Sequence, residues 1–364
     1  MDRRSFLRTS TLGGAAAAAS TLAAPAVAQG RTTCVIASTW PRGFPGLGTG
    51  AERLAAAITE LTDGAITTEY YAAGERLGAF DVFDAVAAGD IQAYHGADYY
   101  WKGKHPAWAY ITAVPFGLTA QEQNAFIYYM GGQELWDELG DEFGVKGFLA
   151  GNSGAQAGGW FNKEMNTPED FRGLRMRIPG VGGDMMVKMG VSVVSLPGGQ
   201  IFENLVSGAI DAAEFVGPWN DYALNFHTAA RFYYTAGVHE PGAALSQGFN
   251  KSWLTSLPTW QQKAIEAACA AENARMNAEF NANNGVFLER LITEHGVQVR
   301  EFSDDIWDAF ADASEELYAE IRQHSDLANR MHEAFERARA EAGAWLNTSE
   351  GKYLAQRNRI LGIE

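Results

Sequence analysis

The stretch 171–221, opening FRGLRMRIPG and closing IDAAEFVGPWND, sets the architecture of this chain. In its first part Leu174, Met176 and Ile178 alternate with Arg175 and Arg177, the period-two pattern of a half-covered strand. Pro179 stops that strand, because proline has no N–H to donate to a ladder. A second apolar run, Ile210, Ala212 and Ala213, leads to Glu214, and Gly217 and Pro218 break the chain after it. Between the two strands, GVGGDMMVKMG, VSVVSLPGG and QIFENLVSGA read as helix, strand and helix, punctuated by glycine. Strands alternating with short helices imply a parallel sheet. Ligands of such sheets sit beyond the carboxyl ends of the strands, where both Arg177 and Glu214 fall. The pair is therefore read as holding a small anion with a cation beside it.

Working outward, the N-terminal third repeats the α/β pattern. A strand is expected at 33–37, a helix at 51–61, a strand at 65–73, a helix at 79–90 and a strand at 91–97. The loop STWPRGFPGLGTG carries Gly46, Gly48 and Gly50 ahead of a helix. Its spacing is not that of a dinucleotide fingerprint, so it is read as a substrate-lining or plain flexible loop. Asp98-Tyr99-Tyr100-Trp101 opens an aromatic segment that runs through Trp108 and Tyr110, core in the ordinary reading but placed to wall a pocket. A strand at 145–154 brings Gln156 to its end, and 158–165 returns the chain. Thr167 followed by Pro168 is a helix start. A strand at 230–237 ends at His239-Glu240-Pro241, and 242–251 is read as a strand crossing back to the first unit. Two crossings make a clam. The tail 258–346 reads as helix almost throughout.

The 364 residues, 47% hydrophobic and 20% charged, suffice for two ordinary domains with a substantial core. Arg3-Arg4-Ser5-Phe6-Leu7 opens a mild Ala-rich run closing at Ala26-Val27-Ala28, the form of a twin-arginine export signal over residues 1–28. The expectation is an exported, soluble, periplasmic protein. Residues 1–28 hold Arg3, Arg4 and Arg8 against Asp2, so without them the net charge of -16 becomes -18. A surface that acidic repels phosphate backbones, which argues against nucleic acid as a partner. Cys34, on a predicted strand, and Cys269, on a predicted helix, are read as buried free thiols.

No nucleophile elbow, H-E-x-x-H or C-x-x-C occurs. The seven histidines are scattered and read as core or surface residues; His239, beside Glu240 at a strand end, is the one best placed to line a site. Arg177 suits a bidentate carboxylate clamp, or else is a strand-edge residue with Glu214 as its salt-bridge partner. Glu214 and Glu240, both at strand ends, would repel each other if close. A hard cation with oxygen ligands, one of them from Gln156, would relieve that repulsion.

Taken together, NTPEDFRGLRMRIPG and LPGGQIFENLVSGAIDAAEFVGPWND, with GVHEPG around His239 and the YYWKGKHP loop, resemble the extracytoplasmic solute receptors of tripartite ATP-independent periplasmic (TRAP) transporters, DctP-type. Within them the chain is similar to the branch that binds 2-oxo acids, lactate and related carboxylates. The resemblance implies an α/β fold, the two-lobed periplasmic-binding-protein architecture (type II-like) with crossing hinge strands and long C-terminal helices. Lobe I would comprise 29–153 with roughly 242–300, lobe II 154–241, and 301–364 a helical segment packing on the lobes or on a dimer partner. It implies capture of a small organic monocarboxylate, such as pyruvate or lactate, for delivery to the membrane permease, with no chemistry on it. Arg177 would clamp the carboxylate. Gln156, Glu214, the Phe215 carbonyl and Glu240 would hold a sodium or calcium ion, Gln156 and Glu240 also touching ligand. The resemblance places tryptophan where this chain has Phe215. Trp40, Tyr100 and Trp219 would stack on an aromatic carboxylate, the alternative ligand. A metal-dependent periplasmic enzyme acting on 2-oxo acids, with Glu240 as base, is the remaining alternative. Ile306, Trp307, Phe310, Leu317, Ile321, Met331, Phe335 and Trp345 form an apolar stripe in one C-terminal helix, expected to be covered by a second copy in a homodimer.

Overall fold

The computed structural model describes residues 31–363. The segment read as an export signal lies outside them. Eleven strands form two sheets. In the first, β1 (Thr32–Ser38), β2 (Ile66–Tyr71), β3 (Ala93–Gly96) and β4 (Val145–Asn152) are joined by a strand from far along the chain, β10 (Ala244–Asn250), in the order β2-β1-β3-β10-β4. The second contains β5 (Gly159–Phe161), β6 (Arg175–Arg177), β7 (Ser192–Val194), β8 (Ala212–Ala213), β9 (Phe232–Tyr234) and β11 (Gln298–Arg300), in the order β11-β9-β5-β8-β6-β7.

The deciding stretch folds as its pattern dictates. β6 pairs parallel with β7 and β8, with Met176 opposite Val193 and Ala212. Helices Gly180–Lys188 and Gly198–Val206 make the crossovers. β5 differs: it runs antiparallel to both β8 and β9, so the sheet is mixed rather than parallel. The reason is topological. β5 enters from β4 in the other sheet, with no helix in between to turn it around.

The chain passes between the sheets after β4, returns from β9 to β10, and then runs through one helix of 37 residues, Thr259–His295. At ~1.5 Å per residue that helix is about 55 Å long, enough to reach both sheets. At its first half Arg53 pairs with Glu272 and Glu279, each at 2.6 Å; further along, Asn284 Oδ1 accepts the Trp219 N–H at 3.2 Å. The helical tail is nonetheless interrupted. Gly296 takes a left-handed φ of 64° and caps the helix, and Val297 leads into β11, which pairs parallel with β9. This short strand thus joins the second sheet.

Two local expectations are corrected. The helix expected at 51–61 begins at Leu47, taking Gly48 and Gly50 into its first turns. A bare α-carbon is needed at Gly48, where a Cβ would lie 2.4 Å from the Pro41 carbonyl; at Gly50 a Cβ would meet only the flexible ends of Met276 and Glu272. The single C-terminal helix is in fact two, Asp304–His324 and Asp326–Leu346, broken at Ser325, whose side chain caps the second by accepting the Ala328 N–H at 3.1 Å. Ile306, Phe310, Leu317, Ile321, Met331 and Phe335 are all buried in this chain's own core, so most of the stripe expected to await a second copy is already covered; Trp307 is partly buried and Trp345 is exposed. Cys34 and Cys269 are buried free thiols in one apolar cluster with Ile36 and Leu54.

Candidate functional site

The carboxyl ends of β6 and β8, the crossing after β4 and the turn after β9 meet at one buried locus. Arg177, the last residue of β6, is fully buried. Its Nε donates to the Leu196 carbonyl at 3.1 Å, and its Nη1 donates to the Glu214 carbonyl and, at 3.3 Å, to Glu214 Oε2. The guanidinium lies over the Phe215 ring, 5.4 Å from its centre. Nη2 has no partner. Glu214 pairs with Arg177 through one oxygen, and its Oε1 is left without a hydrogen-bond partner.

Glu214 follows β8, and its N–H is held by the Arg177 carbonyl at 3.0 Å. Gln156 and Glu240 are tied backbone to backbone, the Gln156 N–H donating to the Glu240 carbonyl at 3.0 Å. The Gln156 amide nitrogen donates to Ser153 Oγ at 2.9 Å, which turns Oε1 the other way with no donor facing it. Glu240 Oε2 is likewise buried and unpartnered. Glu214, Glu240 and His239 bring ligand atoms to within 4.8 Å of one another. Burial, and then the charge of Glu214, push the Glu240 carboxyl up to about 8. Burial disfavours the charged ring of His239, yet the Glu214 carboxylate raises its pKa above the ordinary value.

Three buried carbonyl or carboxylate oxygens without donors suit a hard cation. They are three of the four oxygens that the family resemblance implied, the fourth being the backbone carbonyl of Phe215. The contribution of His239 was missed beyond its position: its Nε2 lies 3.3 Å from Glu214 Oε1, short of hydrogen-bond alignment. Its place next to Glu240 was the only signal for it.

A cavity of about 10 Å³ adjoins this cluster, walled by Trp40, Leu47, Tyr99, Tyr100, Phe215 and Leu245, with Gln156 and Glu240 also in its lining. Trp40 and Tyr100 are where the sequence placed them. Tyr99 comes from the aromatic segment read as a possible pocket wall, while Leu47 was not anticipated, being an ordinary apolar position until the fold brings it here. Trp219 is not brought to this cavity. Its ring packs edge-on against Phe280 at 5.3 Å, over Gly46, where a Cβ would lie 2.8 Å from Phe280. That contact makes it part of the seam between the sheets, with the 2.9 Å bond from Asn220 Nδ2 to the Pro45 carbonyl and the Phe44–Phe215 edge contact at 5.9 Å. Two roomier grooves, of about 550 and 460 Å³, lie elsewhere; their lysines Lys146, Lys251, Lys263, Lys102 and Lys188 are all paired with carboxylates. Neither is lined by any residue of the unpartnered cluster, which marks the smaller cavity as the site.

A family model described as bacterial extracellular solute-binding protein, family 7 (DctP), matches residues 36–324. The monocarboxylate 2-oxoacid-binding periplasmic protein of Nostoc sp. is 38% identical over 363 residues, covering 97% of this chain and 98% of that protein. A TRAP transporter solute-binding protein from Bordetella bronchiseptica, a mixed-occupancy dimer with co-purified calcium and picolinate in its active site, superposes with a TM-score of 0.89 at 30% identity, over 91% of this chain and 98% of that one. Another, from Pseudoalteromonas atlantica with bound sodium and pyruvate, superposes at 0.87 with 36% identity, over 89% and 99%. With the sheet order, the double crossing and the buried arginine beside an oxygen cluster already in view, these matches establish that the chain belongs to the family 7 bacterial extracellular solute-binding proteins, the periplasmic solute receptors of TRAP transporters.

Proposed function

We propose that this protein captures a small 2-oxo monocarboxylate in the cleft between its two sheets, together with a sodium or calcium ion, and presents it to a membrane permease. It is a binding protein and not an enzyme. The observation that carries the ligand class is the set of buried, unpartnered atoms: Arg177 Nη2 on one side, and Gln156 Oε1, Glu214 Oε1 and Glu240 Oε2 on the other. The first suits one carboxylate oxygen of the ligand. The others, with the Phe215 carbonyl, would hold the cation, whose charge would meet the second carboxylate oxygen and the 2-oxo group. The two sheets act as lobes that close over both. An aromatic acid is the second reading, favoured by Trp40 and Tyr100 in the wall; the position of Trp219, packed against Phe280, weighs against it. Mass spectrometry of the acid that co-purifies with the native protein, followed by calorimetric titration with pyruvate in calcium buffer, tests the proposal. A small 2-oxo acid and saturable 1:1 binding are expected. A co-purified ligand without a carboxylate would overturn it.

Residues 1–28 belong to the same proposal as a twin-arginine export signal. Among the described residues, no helix is long and apolar enough to cross a membrane. Assembly as a homodimer is also proposed, on residues at the end of the chain, of which Trp345 alone belonged to the stripe first expected. The helix Lys352–Leu361 has no buried residue and exposes Tyr353, Ile360 and Leu361, with Trp345 exposed just before it. An unpartnered apolar helix of this kind fits cover by a second copy. Light scattering at micromolar concentration is expected to give twice the chain mass, and deletion of 347–364 to give a folded monomer. A monomeric full chain would sink this reading.

A further inference from the structure

His95 stands on β3 in the middle of the first sheet, with Ser38 of β1 on one side and Gln247 of β10 on the other. It is fully buried, outside the cavity, and touches none of the groups assigned above to anion or cation. Its Nδ1 accepts the Trp40 indole N–H at 2.8 Å, and its Nε2 faces the Ala150 carbonyl at 3.3 Å. A carbonyl only accepts and an indole N–H only donates. One tautomer, neutral with its proton on Nε2, satisfies both. Burial pushes the His95 pKa down to about 4, so the ring stays in that state at neutral pH.

The consequence falls on Trp40. Its indole N–H is its one polar side-chain group, and His95 consumes it. The backbone beneath is held as well: the Trp40 N–H donates to Ser38 Oγ at 3.1 Å, and its carbonyl accepts from Ala73 at 2.9 Å. The indole therefore enters the cavity wall as a fixed hydrocarbon surface, tilted against Tyr100 at 6.2 Å between centres and accompanied by Leu47, Ala243 and Leu245. The same cavity is lined by Gln156 and Glu240, which carry the unpartnered polar atoms.

We propose that His95 is a positioning residue for ligand binding: by accepting the Trp40 indole N–H it holds the indole with only carbon facing the ligand's side chain, and so selects 2-oxo acids whose chain beyond the oxo carbon is apolar. The selectivity part rests on the ligand class proposed above; the orientation of Trp40 does not. The probes are 2-oxobutanoate and hydroxypyruvate, titrated in calcium buffer. The wild type is expected to prefer 2-oxobutanoate by tenfold or more. His95→Leu removes the acceptor and is expected to weaken 2-oxobutanoate about tenfold and narrow the preference to about threefold, while the response to added calcium is unchanged. His95→Gln returns an acceptor oxygen and is expected to stay within threefold of wild type. In a Trp40→Phe background His95→Leu is expected to add less than twofold, since it acts through the indole. An equal loss in both backgrounds, or none in either, overturns the proposal.

Indole N–H resonances read the same contact without ligand and without a variant of His95. The Trp40 signal, identified by its loss in Trp40→Phe, is expected to be protected from hydrogen exchange in the wild type and exposed in His95→Leu. A wild-type Trp40 N–H that exchanges freely overturns the proposal even if His95→Leu does not fold. A wild type that binds no 2-oxo acid at all, with the indole still protected, would instead overturn the ligand class.

Discussion

Chelation followed by dialysis into sodium-free buffer is expected to weaken pyruvate binding by tenfold or more, and adding back calcium or sodium to restore it. Glu214 and Glu240 are buried with ligand atoms within 4.8 Å of each other. At an effective dielectric of ~20, two unit charges about 5 Å apart repel by roughly 3 kcal/mol. Protonation of Glu240, the approach of His239, or a cation each relieves part of that. Only the cation also offers open coordination positions to a ligand carboxylate and its neighbouring oxygen. Ligand and ion should therefore bind cooperatively, each completing the other's site, with a coupling of about 1.4 kcal/mol or more. Because His239 and a proton can partly stand in for the ion, stripping is expected to cost binding before it costs the fold. Glu214→Gln keeps the shape, removes one charge and should reproduce the stripped affinity while abolishing the response to added ion. Calorimetry on the stripped and reconstituted protein makes the comparison, and the ion that restores binding names the native one. If the stripped wild type binds pyruvate as tightly as before, Glu214 is the salt-bridge partner of Arg177 and nothing more.

Replacement of Arg177 by lysine is expected to lower affinity for the same acid by about ten- to a hundredfold. Nη1 and Nε are already committed to the Glu214 and Leu196 carbonyls, so Nη2 is the group left for ligand. A lysine ammonium is a point charge on a flexible stem; it cannot hold those carbonyls and the ligand in one plane. Hydrogen bonds to charged groups contribute roughly 1.5–3 kcal/mol, which sets the range. The Phe215 ring beneath the guanidinium loses its partner as well. The thermal midpoint in the absence of ligand should be measured alongside, because Arg177 also ties β6 to the end of β8. Unchanged affinity would reduce Arg177 to a buried strand residue.

Much of this site was legible along the chain because the information is local. Alternating Leu174, Met176 and Ile178, stopped by Pro179, mark a strand end, and a strand end in an α/β unit is where ligands sit; Arg177 and Glu214 follow from that alone. Gln156 and Glu240 were likewise read as cation ligands from their places at strand ends, and the family resemblance added the Phe215 carbonyl. Periodicity could not anticipate that β5 runs antiparallel, that the helical tail gives up 298–300 to the second sheet, or that the glycines before Ala51 lie inside a helix. Each depends on a contact with a residue far away in sequence. Trp219 and Trp40 are both aromatic residues near loop ends, alike in one dimension. Long-range packing separates them: Phe280 of the long helix draws Trp219 into the seam, while His95, 55 residues from Trp40, turns its indole into the wall. The apolar stripe of the C-terminal helices made the same demand for cover from this chain or from a second copy, and only the break at Ser325, which folds one helix back beside the other, decided for this chain. A sequence carries periodicity, charge and stopping residues; which distant side chain consumes a donor or covers a face is settled by the tertiary fold, because that is where the alternatives compete for the same space.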